Sequence, residues 1–383
     1  MHKIFCGELF TGREIIKDAC IVFDDRIIDC GKNGISESYD CDMIDARGKL
    51  VMPGFIDSHT HAVFAGSREE ELKMKLEGKR YMEILHEGYG INRTVRATGE
   101  ADEGDLFNQS MERIEEAIAH GTTTMEIKSG YGKDIDEEMK MLRVIERLKK
   151  ETEGRIDIIP TFLAHIKPHD GYTEEIIENM KRIRERAGFF DVFMEAFGYE
   201  DTEKLLKRAK ESGFKLKLHA DEFSDCGGAE LGTRMGCTSV DHMIRTSDEG
   251  FDALSKSETI PCLLPATSFS SFEPYARGRE MAEKGLPVAL ATDMNPNCWC
   301  CSLEFVADLA CYSMHMMPLD AMKGITVNGA RALGLSDKGI LEKGSIADIV
   351  ITDAKNHLDF FSRFGTKKVR TIIKKGKEIR ISF

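Results

Sequence analysis

Two histidines separated by one residue, His59 and His61, are the strongest chemical signal in this chain of 383 residues. They follow the apolar run LVMPGFID at 50–57. Side chains along a strand alternate between its two faces, so both imidazoles point to the same side. Such a pair at the end of a strand can bind one metal ion. Surface histidines that only form hydrogen bonds would have the same spacing, so the rest of the chain decides between the two interpretations.

Titratable side chains end most of the other strands that the sequence predicts, after interiors that are nearly all apolar. In a parallel barrel the carboxyl ends of the strands meet at one rim. Any one of these side chains could be a core or capping residue, which is the favoured interpretation for Asp57 and Asp241. Five histidines and three carboxylates on one rim instead indicate an active site. The set is His59, His61, His165, Glu195, His219, Glu222, His242 and Asp293.

Three imidazoles and one carboxylate form a donor set that suits Zn²⁺ or iron, as Fe²⁺ or Fe³⁺. A bound metal with an open position activates water, so hydrolysis is the expected chemistry. The ligands that we expect are His59, His61, His219 and Asp293.

The elements that position these residues follow two patterns. Residues 1–52 and 338–383 contain short strands and hairpins, and neither end could bury a core alone. We expect the two ends to form one small β-sandwich domain. Between them, at 53–337, eight apolar strands alternate with long charged helices, which predicts a catalytic (β/α)8 barrel. An open doubly wound sheet is the alternative, although it usually has fewer strands.

The expected barrel strands begin with the segment that precedes the histidine pair. The intervening helices are long and charged, and the one at 202–212 carries Leu205, Leu206 and Ala209 at helical spacing. The strands are expected at 54–59, 122–128, 156–163, 191–195, 215–219, 239–242, 260–264 and 288–292, and the helices at 104–120, 136–152, 173–187 and 202–212.

The composition limits which classes of partner and which cellular compartment are expected. The formal net charge of −13 argues against nucleic acid or an anionic membrane as a partner. It also means that an anionic substrate needs a local cation. The 11 cysteines are scattered, unlike those of a small secreted disulfide framework. No signal peptide or membrane span is expected, so we expect a cytoplasmic protein with a small-molecule substrate.

Several motifs resemble known proteins. PGFIDSHTH, LHADE, DHM and ATDMNP, in this order, resemble the amidohydrolase superfamily. Within it, FAGSREEE (64–71), RTVRAT (93–98), EIKSGYG (126–132) and TFLAH (161–165) resemble the imidazolonepropionase family. The resemblance runs from about residue 46 to the C-terminus and includes KGILEKGSIADIV (338–350). It implies hydrolysis of the cyclic amide of 4-imidazolone-5-propanoate to N-formimidoyl-L-glutamate in histidine degradation, and a homodimer.

The resemblance also implies roles for single residues. It assigns the same four metal ligands, and it gives Glu222 and His242 the water proton and the reacting carbonyl. The guanidinium fork of Arg68 suits a propionate carboxylate, although without the resemblance it would be interpreted as a surface arginine that pairs with Glu69–Glu71. The implied substrate contacts are Arg68, Tyr81, Tyr131, His165 and Asn295.

Two features depart from the wider superfamily. The predicted fourth strand lacks the lysine that bridges two metals in other members, which favours one metal per chain. Glu195 could be a weak second-site ligand, although a structural role is favoured. The loop with Cys298, Cys300 and Cys301 could bind a soft metal, and lining the pocket is the alternative.

Two other functions stay open at this point. One is another cyclic amidase, or an aminohydrolase that acts on a purine, pyrimidine or triazine. Such a neutral substrate would not need Arg68 with Tyr131. The other is a non-catalytic scaffold, which would be expected to lose metal ligands, whereas all four are present in this chain.

Overall fold

A computed structural model describes residues 1–33 and 39–380, without the side chains of Tyr81 and Met82. The described residues form fifteen strands. In chain order these are β1 (His2–Phe10), β2 (Ile15–Phe23), β3 (Ile27–Lys32), β4 (Asp42–Pro53), β5 (Phe55–Asp57), β6 (Thr122–Lys128), β7 (Asp157–Ala164), β8 (Phe189–Phe193), β9 (Lys215–Ala220), β10 (Ser239–His242), β11 (Ile260–Leu263), β12 (Ala289–Leu290), β13 (Ile349–Thr352), β14 (Val369–Lys374) and β15 (Lys377–Glu378).

The helices lie mostly between the strands of the middle region. They are α1 (Glu69–Leu76), α2 (Tyr81–His86), α3 (Ile91–Glu100), α4 (Glu103–Ala119), α5 (Ile135–Glu151), α6 (Tyr172–Glu178), α7 (Met180–Arg184), α8 (Met194–Glu211), α9 (Gly228–Met235), α10 (Asp248–Ser255), α11 (Pro265–Ser271), α12 (Gly278–Glu283), α13 (Leu303–Tyr312), α14 (Pro318–Lys323), a π-helical turn (Gly324–Asn328), α15 (Gly329–Ala332) and α16 (His357–Ser362).

The two ends of the chain meet in one seven-stranded sheet, in the order β15-β14-β13-β4-β1-β2-β3. Apolar side chains from both ends, such as Ile21 and Ile349, share one buried core. This confirms the small β domain built from both chain ends. Its expected boundaries near residues 52 and 338 stay a prediction, and residues 34–38 and 381–383 lie outside the described part of the chain.

The other eight strands, β5 to β12, pair in sequence order as parallel neighbours, which confirms the (β/α)8 barrel. The segments after β5 and β12 close it. His61 N donates to Met294 O (2.9 Å) and Asp293 N donates to His59 O (3.0 Å). The carboxylate of Asp57 accepts hydrogen bonds from the backbone N–H and the hydroxyl of Thr292. Closure therefore places the first and the last predicted ligands side by side.

Two predicted helices differ from the observed ones. The segment at 173–187 forms α6 and α7, which meet at Asn179. The helix predicted at 202–212 begins earlier, at Met194, with a kink at Gly198, whose φ of 74° is left-handed. Glu195 therefore lies in the first turn of α8 and not in β8. No helix in the described part of the chain is long and apolar enough to cross a membrane.

Candidate active site

Three histidines form the centre of the site at the carboxyl end of the barrel. His59 and His61 follow β5, and His219 lies near the end of β9. All three are buried, and one ring nitrogen of each lies within 4.8 Å of those of the other two. The Nε2 atoms of His59 and His61 are 3.3 Å apart. This arrangement can hold a metal ion.

Asp293 lies against two of these histidines. Its Oδ1 atom is 3.3 Å from His61 Nε2 and 3.5 Å from His59 Nε2. Its Oδ2 atom accepts a hydrogen bond from the hydroxyl of Thr267 at the start of α11. Thr267 thus orients the carboxylate, a role that no sequence signal indicated.

The donor set fits a cation. Buried polar atoms are normally hydrogen-bonded. Among the described residues, however, His219 Nε2 and Asp293 Oδ1 have no hydrogen-bond partner, and Asp293 Oδ1 lies beside the Nε2 atoms of His59 and His61. Imidazole nitrogens and a carboxylate oxygen that are buried together suit a metal such as zinc or iron.

Carboxylates below the rim orient two of the ligand histidines. Asp241 Oδ2 lies 2.6 Å from Nδ1 of His59. Asp191 Oδ2 lies 3.0 Å from Nδ1 of His219. A carboxylate on one ring nitrogen leaves the other nitrogen of a ligand histidine available to the metal. Asp241 therefore orients His59, in addition to the core role that the sequence favoured for it.

Two buried lysines neutralise these carboxylates inside the barrel. Lys217 Nζ is 3.1 Å from Asp241 Oδ2. Lys128 Nζ is 2.7 Å from both Asp191 Oδ2 and Glu126 Oε1. Burial opposes the charge of Lys217, but the charge of Asp241 raises its pKa. Asp191, Glu126 and the pairing of the lysines were missed. The signal that could have found them is charge at alternate positions of otherwise apolar strands.

Glu222 and His242 lie together beside the histidine cluster. The ring of His242 is 5.2 Å from that of His219 and 5.5 Å from that of His59. Its Nδ1 atom is 3.7 Å from Glu222 Oε1. Burial lowers the pKa of His242 to about 3, so its ring is neutral. Burial, together with the charge of Asp293, raises the pKa of Glu222.

Glu195 supports the loop that carries Glu222. Its Oε1 atom accepts hydrogen bonds from the backbone N–H groups of Glu222 (2.7 Å) and Phe223 (3.3 Å). Burial raises the pKa of Glu195. The geometry agrees with the structural role that the sequence favoured, because Oε1 of Glu195 accepts both of these backbone hydrogen bonds.

Backbone strain is concentrated at this rim. Asp221, His242, Met243 and Asp293 have positive φ values of 56°, 77°, 58° and 49°. This region is unfavourable for residues other than glycine. It persists where surrounding contacts impose it, which is common at functional sites.

Tyr131 and His165 lie next to the histidine cluster. The ring of Tyr131 is 5.9 Å from that of His61 and 5.6 Å from that of His165. The rings of His165 and His61 are 5.3 Å apart. Burial lowers the pKa of His165, so it is neutral. The structure thus brings two of the predicted substrate residues together.

Arg68 is buried and forms a bidentate pair with a carboxylate of its own chain. Its Nε and Nη2 atoms donate to Glu71 at 2.9 and 2.8 Å. Glu71 also accepts a hydrogen bond from Gly90 N. Only 9% of Arg68 is exposed, so it is not a surface arginine, but its pairing with Glu71 is one that the alternative interpretation gave it. Burial, with the charge of Arg68, lowers the pKa of Lys75 on α1, the helix that follows Arg68.

Tyr81 and Asn295 are the remaining predicted substrate residues. Tyr81 begins α2, and its side chain is outside the described atoms. Asn295 shapes its own loop. Its Nδ2 atom donates to Asp293 O, and its Oδ1 atom accepts from Asn297 N and Cys298 N.

The cysteines of this loop are unsuited to a soft metal. Burial raises the pKa of Cys298 and Cys301, and that of Cys300 to about 12. A metal would have to displace the proton of each thiol to bind the thiolate, and burial makes that displacement less favourable. The Cys298 thiol donates to Thr292 O.

Comparison with known proteins assigns the chain to a family over nearly its whole length. The profile of the amidohydrolase family matches residues 50–379. An imidazolonepropionase of Caldanaerobacter subterraneus subsp. tengcongensis is 41% identical, over 98% of this chain and 94% of the relative. An imidazolonepropionase of Clostridium tetani is 42% identical, over 97% and 92%. The crystal structure of a 5-methylcytosine deaminase from Klebsiella pneumoniae has a TM-score of 0.78 at 20% identity, over 99% of this chain and 98% of that one, and shows the same fold.

Proposed function

The chain belongs to the amidohydrolase family, and we propose that it hydrolyses the cyclic amide of 4-imidazolone-5-propanoate to N-formimidoyl-L-glutamate, a step of histidine degradation. One observation carries the proposal: the buried cluster of three histidines with Asp293, in a chain that matches imidazolonepropionases over nearly its whole length. Hydrolysis adds the oxygen of one water molecule to the ring carbonyl carbon. The bond from this carbon to the ring nitrogen breaks, and the nitrogen takes up a proton.

We propose that His59, His61, His219 and Asp293 hold one Zn²⁺ or iron ion per chain. Three imidazoles with one carboxylate suit either metal, and the unpartnered buried atoms of these residues support this role. When bound, such a metal acts as a Lewis acid and lowers the pKa of water. Asp191 and Asp241 orient His219 and His59 toward it.

Glu222, His242 and Asp293 handle protons and developing charge. Glu222 takes a proton from water and delivers it to the leaving ring nitrogen, since its raised pKa suits both steps. His242 is neutral and donates its ring N–H to the carbonyl oxygen as negative charge develops there. Asp293 Oδ1 is the second acceptor for the water proton.

Arg68 binds the propionate carboxylate of the substrate. Glu71 fixes one edge of the guanidinium, so little rotamer entropy is lost when the substrate binds. Tyr131 and His165 pack against the imidazolone ring beside the metal ligands. Tyr81 and Asn295 complete the expected contacts.

We further propose a homodimer in the cytoplasm. Large apolar side chains are exposed on or beside α13, α14 and α16, and two of them, Tyr312 and Phe364, contact each other. They are candidates for the subunit interface. All 11 cysteines are free thiols, which suits a reducing compartment.

The test combines metal analysis with an assay of freshly generated imidazolone propionate against a panel of cyclic amides and aminopurines. We expect about one zinc or iron per chain and N-formimidoyl-L-glutamate as the product. Chelation should abolish turnover, and re-addition of the metal should restore it. Ammonia release from an aminopurine without turnover of the imidazolone would contradict the substrate assignment. A stoichiometry near two would contradict the single metal.

A further inference from the structure

Glu138, in the first turns of α5, is a buried carboxylate that the proposed chemistry does not use. Only 2% of it is exposed. Its Oε2 atom accepts a hydrogen bond from Gly130 N (2.8 Å), and its Oε1 atom accepts one from Gly132 N (2.6 Å). Both oxygens therefore bind backbone groups of the segment between β6 and α5.

The backbone of this segment is built closely around Glu138. Gly130 has a φ of +122°, which favours glycine. A Cβ atom at Gly132 would lie 2.6 Å from the backbone nitrogen of Glu138 and 2.9 Å from its Cγ. The two glycines allow the chain to approach the carboxylate, as larger residues would not.

The residue between the two glycines is Tyr131, whose ring lies against those of both His61 and His165. Tyr131 is buried, and its ring also meets Phe64 edge to face. A carboxylate that binds the N–H groups on both sides of Tyr131 fixes the backbone position from which that ring enters the site.

We propose that Glu138 is a positioning residue for substrate recognition, because it holds the Gly130–Gly132 segment and thereby sets Tyr131 against the substrate ring. This rests on the proposed function, in which Tyr131 contacts the imidazolone. Glu138 touches neither the substrate nor the metal ligands, and it acts through Tyr131.

The chemistry of the bond explains why the residue is a glutamate. An ionised carboxylate offers two acceptor oxygens, one for each N–H group. Glutamine would place its NH₂ group against one N–H donor and lose that bond. Burial raises the pKa of Glu138 to about 7, because desolvation disfavours the charged carboxylate. The hydrogen bonds from Gly130 and Gly132 oppose this shift.

The first test compares Glu138→Gln with Glu137→Gln in the metal-loaded protein. Glu137 is the matched control, since it accepts a hydrogen bond from Lys133 N at the far end of the same segment. For Glu138→Gln we expect KM for imidazolone propionate to rise about tenfold, the effect of one hydrogen bond to a charged group. The value of kcat should change much less, and the metal content should stay the same. Glu137→Gln should have near-wild-type kinetics.

A double-mutant cycle separates positioning from general damage. If Glu138 acts through Tyr131, adding Glu138→Gln to Tyr131→Ala, which removes the positioned ring, should raise KM far less than it does in the wild type. Glu138→Asp, which keeps the charge but has a shorter reach, should give an intermediate KM if the glutamine variant folds poorly. Multiplicative effects, or an unchanged KM in Glu138→Gln, would overturn the proposal.

Amide hydrogen exchange distinguishes failure of the Glu138 proposal from failure of the proposed function. In Glu138→Gln we expect faster exchange at Gly130 and Gly132, with the rest of the barrel unchanged. Unchanged exchange at both glycines would overturn the role of Glu138 whatever the substrate is. If the wild type does not turn over imidazolone propionate, the proposed function fails, and the exchange rates still decide whether Glu138 holds the segment.

Discussion

Glu222 and His242 lie 3.7 Å apart at the rim, yet their surroundings shift their pKa values in opposite directions. Burial disfavours the charged form of each group, so it raises the pKa of the carboxyl group and lowers that of the imidazole. A carboxylate with a raised pKa is a stronger base, and it can later return the proton that it accepts. Glu222 is therefore the better candidate for proton transfer, and the neutral ring of His242 suits hydrogen bonding to an oxyanion.

We expect Glu222→Gln to lower kcat by about 10² to 10⁴ with unchanged metal content, the usual loss for a general base. Steady-state kinetics with elemental analysis checks this. Glu273→Gln is the control, because it removes a half-buried carboxylate whose partner is Arg245 and not a residue of the site. Near-wild-type kcat in Glu222→Gln would transfer the role of base to His242.

Arg68 carries the assignment of an anionic substrate. We expect Arg68→Ala to reduce kcat/KM for imidazolone propionate by the equivalent of roughly 2 to 5 kcal/mol, since the substrate carboxylate would lose its partner in a closed pocket. Arg68→Lys should restore only part, because an ammonium cannot reproduce the planar fork. Arg93→Ala, which breaks an exposed pair with Glu70, should have little effect.

The decisive quantity is the ratio of kcat/KM for the propionate substrate to that for a ring analogue without the carboxylate. In the wild type the ratio should be large, and in Arg68→Ala it should fall toward one. A ratio that the mutation leaves unchanged would mean that Arg68 does not bind the carboxylate.

At the scale of elements, the barrel strands carry charge at positions that sequence patterns treat as core. Glu126 and Lys128 on β6, Asp191 on β8, Lys217 on β9 and Asp241 on β10 are all buried. Their ion pairs lie directly below the ligand histidines. The strand interiors therefore also contribute to the site, because their buried charged side chains orient the histidines at the strand ends.

We expect Asp191→Asn to weaken metal binding by about 10- to 100-fold, because His219 would lose the carboxylate at its Nδ1 atom. Competition with a chelator of known affinity measures this without reference to activity. Glu126→Gln is the matched comparison, since Glu126 pairs with the same Lys128 but reaches the ligand histidines only through the backbone of Thr60. Equal losses in the two variants would indicate general damage to the barrel interior.

At the scale of the whole molecule, a buried ion cluster joins the small sheet to the barrel. Lys374 on β14 lies 2.7 Å from Asp348 and 2.7 Å from Asp157, the first residue of β7. It also donates to Thr123 O on β6. Lys338 pairs with the same two carboxylates. Residues near the C-terminal end of the chain thus attach the sheet to the amino ends of the barrel strands, opposite the site.

We expect Lys374→Met to lower the free energy of unfolding by about 1 to 3 kcal/mol, because the buried carboxylate of Asp348 and the half-buried one of Asp157 would each lose a cation and keep only their other lysine partners. Lys375→Met is the control. Lys375 contacts Asp157 from a more exposed position, and its loss should cost about 0 to 1 kcal/mol. Denaturant unfolding of both variants measures the difference, and similar losses would mean that the cluster does not join the two parts.

The sequence by itself determined where the strands run and which side chains stand at their ends. Both depend on local patterns of apolar and polar residues, so all eight barrel strands and the helices α4 and α5 lie close to their predicted positions. The ligand set followed from the same strand ends, because a parallel barrel brings them to one rim.

The tertiary structure alone decided which distant groups support that rim. His59 and Asp241 are 182 residues apart in the chain, and no local pattern relates them. The burial of Arg68 against Glu71, the support of the Glu222 loop by Glu195 and the contact of Glu138 with the Tyr131 segment also depend on packing between elements. The cost of burying a charge depends on its final neighbours, and the closed barrel determines those neighbours.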